Sequence, residues 1–338
     1  MNVMKSKTGV LLINLGTPDS PAVGDVRPYL SQFLNDPRVI DIPWLPRKML
    51  VNLVIVPFRA SKSAKIYQKL WTPDGSPLLY HSIRAKDLLQ QELGPEYDVH
   101  LAMRYKNPSI PAVLETMRKN NYAKIVVLTM FPQYASASTG SAVEEVMRVM
   151  QSWWVIPEVK FVSQFYDHPL YIEAFAERGR QYDHREYDHV IFSYHGLPQR
   201  QVDKVHADGV CPESCRHAVT TENQYCYRAT CYATTRLLAE KLGIPAEKYT
   251  VSFQSRLDQQ WLNPFSDEVV RECAEKGMKK LLVFSPAFTA DCLETIIEIG
   301  DEYQEIFHAS GGEKVQLVES LNDHPLWIQC LRDLVVAK

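Results

Sequence analysis

The chain has 338 residues, 46% hydrophobic and 23% charged, which is enough for two globular domains with separate cores. A net charge of −3 excludes a nucleic-acid partner recognised through basic excess, and the longest apolar stretch, Met49–Phe58, is about half of what a bilayer span requires. The polar start Met1–Lys7 carries no secretory h-region, so the expected location is the cytoplasm, and seven cysteines in such a chain argue against a disulfide framework.

Short apolar runs alternate with helical patterns along the whole chain, the βαβ rhythm of a parallel sheet. In the first half the candidate strands are Val10–Leu15, Val99–Met103, Ile125–Met130 and Val159–Gln164. The turn after the first, Asn14-Leu15-Gly16-Thr17-Pro18, lacks a G-x-G-x-x-G fingerprint. No Walker A loop occurs anywhere, so nicotinamide and nucleotide cofactors are disfavoured. In the stretch 39–58, Ile40, Ile42, Trp44 and Leu45 lie near Arg47 and Lys48. That mixture suits either a peripheral lip touching a membrane surface or a buried helical hairpin. The second half supplies Val190–Tyr194, Thr250–Phe253, Leu281–Phe284 and Val315–Glu319.

The halves end alike. V-K-F-V-S-Q-F-Y-D-H-P-L-Y-I starts at Val159 and V-Q-L-V-E-S-L-N-D-H-P-L-W-I at Val315, and both third strands run into a proline-aromatic turn. The expected architecture is therefore α/β: two similar Rossmann-like domains, each a four-stranded parallel sheet flanked by helices. The boundaries read as 1–155 and 156–323, with a cysteine-rich insert at 205–232. In each D-H-P, Asp167 or Asp323 reads as a helix N-cap with proline in the first turn. His168 and His324 then belong to the capping turn and are not ligands.

Parallel sheets bind ligands at the carboxyl ends of their strands. There, Val190–Tyr194 runs into His195-Gly196-Leu197-Pro198, and Leu281–Phe284 is followed by Phe288-Thr289-Ala290-Asp291-Cys292-Leu293-Glu294. Glu294, Glu298 and Glu302 recur every four residues and share one helix face, with no basic partner on the stripe. A solvated face would explain the stripe, and so would a site. Between His195 and a helix expected from Ala233, Cys211, Cys215, Cys226 and Cys231 crowd into a polar segment. Structural zinc or an iron–sulfur cluster would anchor it. His206 and His217 flank the thiols as less favoured substitutes. Cys273 and Cys330 read as buried fillers.

Several blocks now resemble the ferrochelatase family: S-Y-H-G-L-P at Ser193–Pro198, F-T-A-D-C-L-E-T at Phe288–Thr295, R-Y at Arg104-Tyr105, P-Q-Y-A-S-A-S-T-G at Pro132–Gly140, N-L-G-T-P at Asn14–Pro18, and Q-S-R with Trp261. The resemblance covers nearly the whole chain in the expected order. It implies a chelatase-like fold with a cleft between the domains, and a last helix, 324–338, packed on the first. It implies insertion of ferrous iron into protoporphyrin IX with loss of two protons, the last step of haem synthesis. His195 would be the base or iron ligand, Glu294, Glu298 and Glu302 carboxylates for metal and protons, and Asp291 the group orienting His195. Leu15, Tyr134, Trp261 and Phe288 would line the porphyrin beside Arg104 and Tyr105, with Arg59 and Ser76 toward its propionates. Some family members carry a [2Fe–2S] cluster, which favours that group over zinc at Cys211, Cys215, Cys226 and Cys231. Cys292, where many relatives have histidine, reads as a soft iron contact or a packed small residue. The rival readings are a coproporphyrin or cobalt chelatase and, in another class, a non-catalytic porphyrin or haem carrier.

Overall fold

The computed structural model describes residues 7–337, and contacts divide it into two units. The first takes the chain up to Phe131, Ser136–Gln164 and the residues from Ile328 on. Its strands are β1 (Thr8–Gly16), β2 (Tyr97–Tyr105), β3 (Lys124–Thr129) and β4 (Glu158–Val162), all parallel in the order β2-β1-β3-β4. Val10, Leu11, Leu12 and Ile13 on β1 are wholly buried. That explains an unbroken apolar run in place of alternation: helices cover both faces of a parallel sheet. On one face Leu11 and Ile13 pack with Leu114 and Val146 from helices Ile110–Lys119 and Ser141–Met150. Ser109 caps the first of these by accepting the Ala112 N–H.

The first unit runs past the expected boundary at 155, because β4 pairs with β3 through registers such as Ile125↔Val159. From the C-terminal side, Lys160 Nζ donates to the carbonyls of Leu334 (3.1 Å) and Ala337 (2.6 Å).

The second unit comprises Pro132–Ala135 and Phe165–Trp327. Its strands are β5 (His189–His195), β6 (Tyr249–Gln254), β7 (Lys280–Phe284) and β8 (Lys314–Leu317). They are parallel in the order β6-β5-β7-β8, the same permutation as in the first sheet. All eight strands fall on the apolar runs of the sequence, and the duplication extends to strand order. Ile191, Leu281 and Val283 pack with Ile299 and Phe307 on one face. The repeated D-H-P does open helices, but with a correction. Helix Pro169–Arg180 starts after His168, which is the N-cap, and its Nδ1 accepts the Leu170 N–H at 3.3 Å. Asp167 lies one position too early, since proline already occupies the first helical residue.

Residues 44–70 of the first unit form helix Trp44–Met49, a π-helical stretch Leu50–Ile55 and helix Val56–Leu70. Trp44, Leu45, Leu53 and Phe58 are exposed, Phe58 at 81%. Arg47 is buried and donates to the Ile42 carbonyl at 2.6 Å, so it braces the loop. Among the described residues no helix is long and apolar enough to cross a membrane.

Candidate active site and metal centre

β5 ends at His195, and the chain turns at once. Gly196 N–H donates to the Gln254 carbonyl at the end of neighbouring β6, at 2.8 Å. A Cβ on residue 196 would stand 2.8 Å from that same oxygen and 3.3 Å from the Trp261 ring, so glycine is what lets the turn lie flat there. His195 Nδ1 sits 2.7 Å from the Gly196 carbonyl oxygen. A carbonyl only accepts, so Nδ1 is the donor in this contact, and in a neutral ring the lone pair falls on Nε2. The His195 carbonyl accepts the Tyr227 hydroxyl at 3.0 Å. The Phe288 ring lies 6.4 Å from the imidazole, inclined by 59°. Trp261 reaches the same loop through its bridge to Pro198. The second unit therefore brings His195, Trp261 and Phe288 together.

The acidic stripe lies on a π-helix, Glu294–Tyr303. Its widened turn makes residues four apart fall just short of a full turn, so the carboxylates keep to one side. Gln254 joins this helix to the histidine loop. Its Nε2 donates to the Glu294 carbonyl (2.9 Å) and to Glu298 (3.1 Å), while its Oε1 accepts the Ser193 hydroxyl (2.8 Å). Glu298 also accepts from Ser255 N–H (2.7 Å), the Ser255 hydroxyl and the Tyr303 hydroxyl (3.2 Å). To present both donors, Ser255 adopts φ +60°, in the left-handed region. Glu294 is half-buried and Glu302 exposed, so the stripe grades from the site to solvent. Nothing in the sequence marks Gln254 as a linking residue beyond its place in Q-S-R at a strand end.

Other expected site residues are placed differently. Asp291 does not orient His195. It is buried, its carboxylate accepting from Ser320 N–H (3.1 Å), Thr295 Oγ1 (3.2 Å) and Asn322 Nδ2 (2.7 Å), and it ties the π-helix start to the loop after β8. The histidine's partner is its own neighbour's carbonyl. Cys292 is buried and packed, and burial pushes its thiol well above the ordinary range. In the first unit Tyr105 is completely enclosed, so it has no surface to offer a porphyrin. Arg104 donates to Asp36 (2.7 Å) and Ser141 (2.6 Å) in the same buried network. Ser76 is 2% exposed and likewise closed to a propionate. Leu15, at the carboxyl end of β1, is half-buried, and Arg59 is exposed on helix Val56–Leu70. Tyr134 belongs to the second unit, its ring edge-on to Tyr225 at 5.4 Å.

In the cysteine segment the structure gathers Cys211, Cys215 and Cys226 with His206. Cys231 is not in that group. The helix expected from Ala233 starts at Tyr227, so Cys231 is already inside it and is fully buried. Cys226 is pulled below the ordinary thiol range, first by its hydrogen bond with Cys211 and further by the Ala229 N–H at the helix start. Asn223 Nδ2 donates to Cys215 Sγ at 3.4 Å.

This double α/β architecture is shared with solved chelatases. SirB from Bacillus subtilis with Fe3+ superposes with a TM-score of 0.53 at 12% identity, covering 98% of this chain and 96% of that one. The sirohydrochlorin chelatase SirB of B. subtilis subspecies spizizenii with cobalt gives 0.50 at 12% identity, over 97% and 95%. At such identity the likeness concerns the fold. Sequence goes further: the ferrochelatase family profile matches residues 7–338. The ferrochelatase of Legionella pneumophila strain Lens is 44% identical over 97% of this chain and 98% of its own, and that of Coxiella burnetii strain Dugway 5J108-111 is 43% identical over 96% and 92%. The chain belongs to the ferrochelatase family, and it is a metal chelatase.

Proposed function

We propose that the chain inserts ferrous iron into protoporphyrin IX, releasing the two pyrrole N–H protons. The observation that carries this reading is the pairing of His195, whose Nδ1 is engaged by the Gly196 carbonyl so that Nε2 is the ring nitrogen left for substrate, with a carboxylate helix tied to the same loop through Gln254. Metalation needs a base for the pyrrole protons and weak ligands for an ion about to be handed over. A neutral imidazole serves as the base near physiological pH. Carboxylates hold a ferrous ion without the tenacity of thiolates, and Glu294 begins a stripe that carries protons toward exposed Glu302. Phe288 beside the imidazole and Trp261 against Gly196 and Pro198 of the same loop give the macrocycle an apolar wall. Bending a flat porphyrin draws on the order of 1–5 kcal/mol from binding contacts of this kind. A non-catalytic carrier would have no use for a base whose tautomer is set.

The test is anaerobic incubation of the purified protein with ferrous iron and protoporphyrin or coproporphyrin, with product identification. Protohaem formation is expected. Turnover of coproporphyrin alone would overturn the substrate, and no metalation of either would overturn the reading. We also infer that the apolar face carrying Trp44, Leu45, Leu53 and Phe58 makes peripheral contact with a membrane, where a hydrophobic porphyrin is delivered or received.

A further inference from the structure

The segment between β5 and helix Tyr227–Leu242 plays no part in the metalation reading, yet its donor atoms are gathered. One ligand atom each from His206, Cys211, Cys215 and Cys226 lies within 4.8 Å of all the others. The Sγ atoms of Cys211 and Cys226 are 3.6 Å apart, and Cys215 Sγ is 3.8 Å from His206 Nε2. A single tetrahedral ion, with metal–sulfur bonds of about 2.3 Å and metal–nitrogen bonds of about 2.0 Å, sets its ligand atoms roughly 3.5–3.8 Å apart. A [2Fe–2S] cluster divides four ligands between two irons, so ligands on different irons are separated further by the iron–iron distance. Four donors clustered this closely do not fit the binuclear group. Nor does Cys231 supply a fourth thiolate to it. Cys226 is the N-cap of helix Tyr227–Leu242. Five helical positions turn a side chain by roughly 140° and carry it roughly 7.5 Å along the axis, away from the ion and into the core.

We propose that His206, Cys211, Cys215 and Cys226 hold one thiophilic divalent cation, zinc by the chemistry of the donor set, and that Cys231 is not a ligand. The site is closed, with four protein donors and no open position, as suits a structural ion. Asn223 donates to Cys215 Sγ and orients it. The ion braces the loop of the active histidine. It fixes the start of the helix whose first residue, Tyr227, donates to the His195 carbonyl at 3.0 Å. Arg228 in turn donates to Gln199 (2.7 Å), and Asp203 accepts from both Gln199 (2.7 Å) and Cys211 N–H (2.9 Å). Tyr227 is thus a positioning residue. None of this depends on which porphyrin is metalated, or on whether one is.

The experiment is metal and acid-labile sulfide analysis of the anaerobically purified full chain, followed by cobalt substitution and visible spectroscopy. One zinc and no sulfide per chain are expected. The cobalt form should show the intense d–d bands of a tetrahedral site and thiolate-to-cobalt charge transfer. His206→Cys should retain the metal and raise the charge-transfer intensity by about a third, as three thiolates become four. Cys231→Ser should bind metal as the parent does. Cys226→Ser should lose it, and if that variant does not fold, the parent stoichiometry and Cys231→Ser still decide. Two irons and two sulfides per chain, or loss of the metal in Cys231→Ser, would overturn the proposal.

Discussion

At the scale of the residue, two positions carry the most. The first is His195, held by one bond through Nδ1 and one through its own carbonyl. His195→Ala should fold, as judged by circular dichroism, and lose at least 10²-fold in kcat, the usual contribution of a general base. A folded variant retaining more than a tenth of the parental kcat would remove His195 from the reaction. The second is Gly16, at the carboxyl end of β1. Its φ is +114°, and a Cβ there would stand 2.0 Å from the Tyr105 carbonyl oxygen. Gly16→Ala forces two strands apart and should cost about 2 kcal/mol or more in denaturant unfolding. In the sequence this glycine has no dinucleotide fingerprint around it, and the structure supplies its reason: β1 and β2 pass too closely at Gly16↔Tyr105 for a side chain.

At the scale of the element, the π-helix Glu294–Tyr303 is held by donors aimed at one carboxylate. Glu298 accepts from Gln254, from Ser255 twice and from Tyr303. In Glu298→Gln an amide NH2 must face one of those donors, which costs about 1–3 kcal/mol. Urea unfolding should show a lower midpoint with an unchanged slope, and an unchanged midpoint would mean that the network does not anchor the helix. The stretch Trp44–Leu70 tests another property. Leu53 and Phe58 are 67% and 81% exposed, so Leu53→Ser with Phe58→Ser should leave thermal stability intact. The parent should float with anionic vesicles at low salt and the double variant should not. A parent that fails to float refutes the membrane contact.

At the scale of the whole molecule, one buried and two half-buried histidines make stability depend on pH. His100 on β2, His189 on β5 and His324 all have pKa values below the ordinary 6.5, in each case chiefly through burial. His100 Nε2 meets the Tyr122 hydroxyl at 2.9 Å, and His189 Nε2 meets Thr250 Oγ1 at 2.8 Å. With the folded pKa depressed, the unfolded chain binds more protons once pH drops below 6.5. Stability is therefore full above that value and falls as pH decreases through it. The thermal midpoint should decline from pH 7.5 toward pH 5.5, and His100→Asn combined with His189→Asn should flatten the slope. A slope unchanged in that double variant would place the pH dependence elsewhere.

The two-sheet plan is legible in the residues alone, because a parallel strand covered on both faces must be apolar along its whole length, and that pattern is local. The His195 loop and the glutamate stripe are legible in the same way, since they lie where strands end. Which polar atoms meet depends on contacts between residues far apart in the chain. Asp291 belongs to Asn322 and Ser320 and not to His195, Tyr105 is sealed against Asp36, and β4 belongs to the first sheet through its pairing with β3. The cysteines show the reason most plainly. C-x4-C looks like a ligand pair while the segment is read as a loop. Once a helix starts at Tyr227, its register turns Cys231 into the core, and the fold of the segment before that helix brings His206 up to the three remaining thiols.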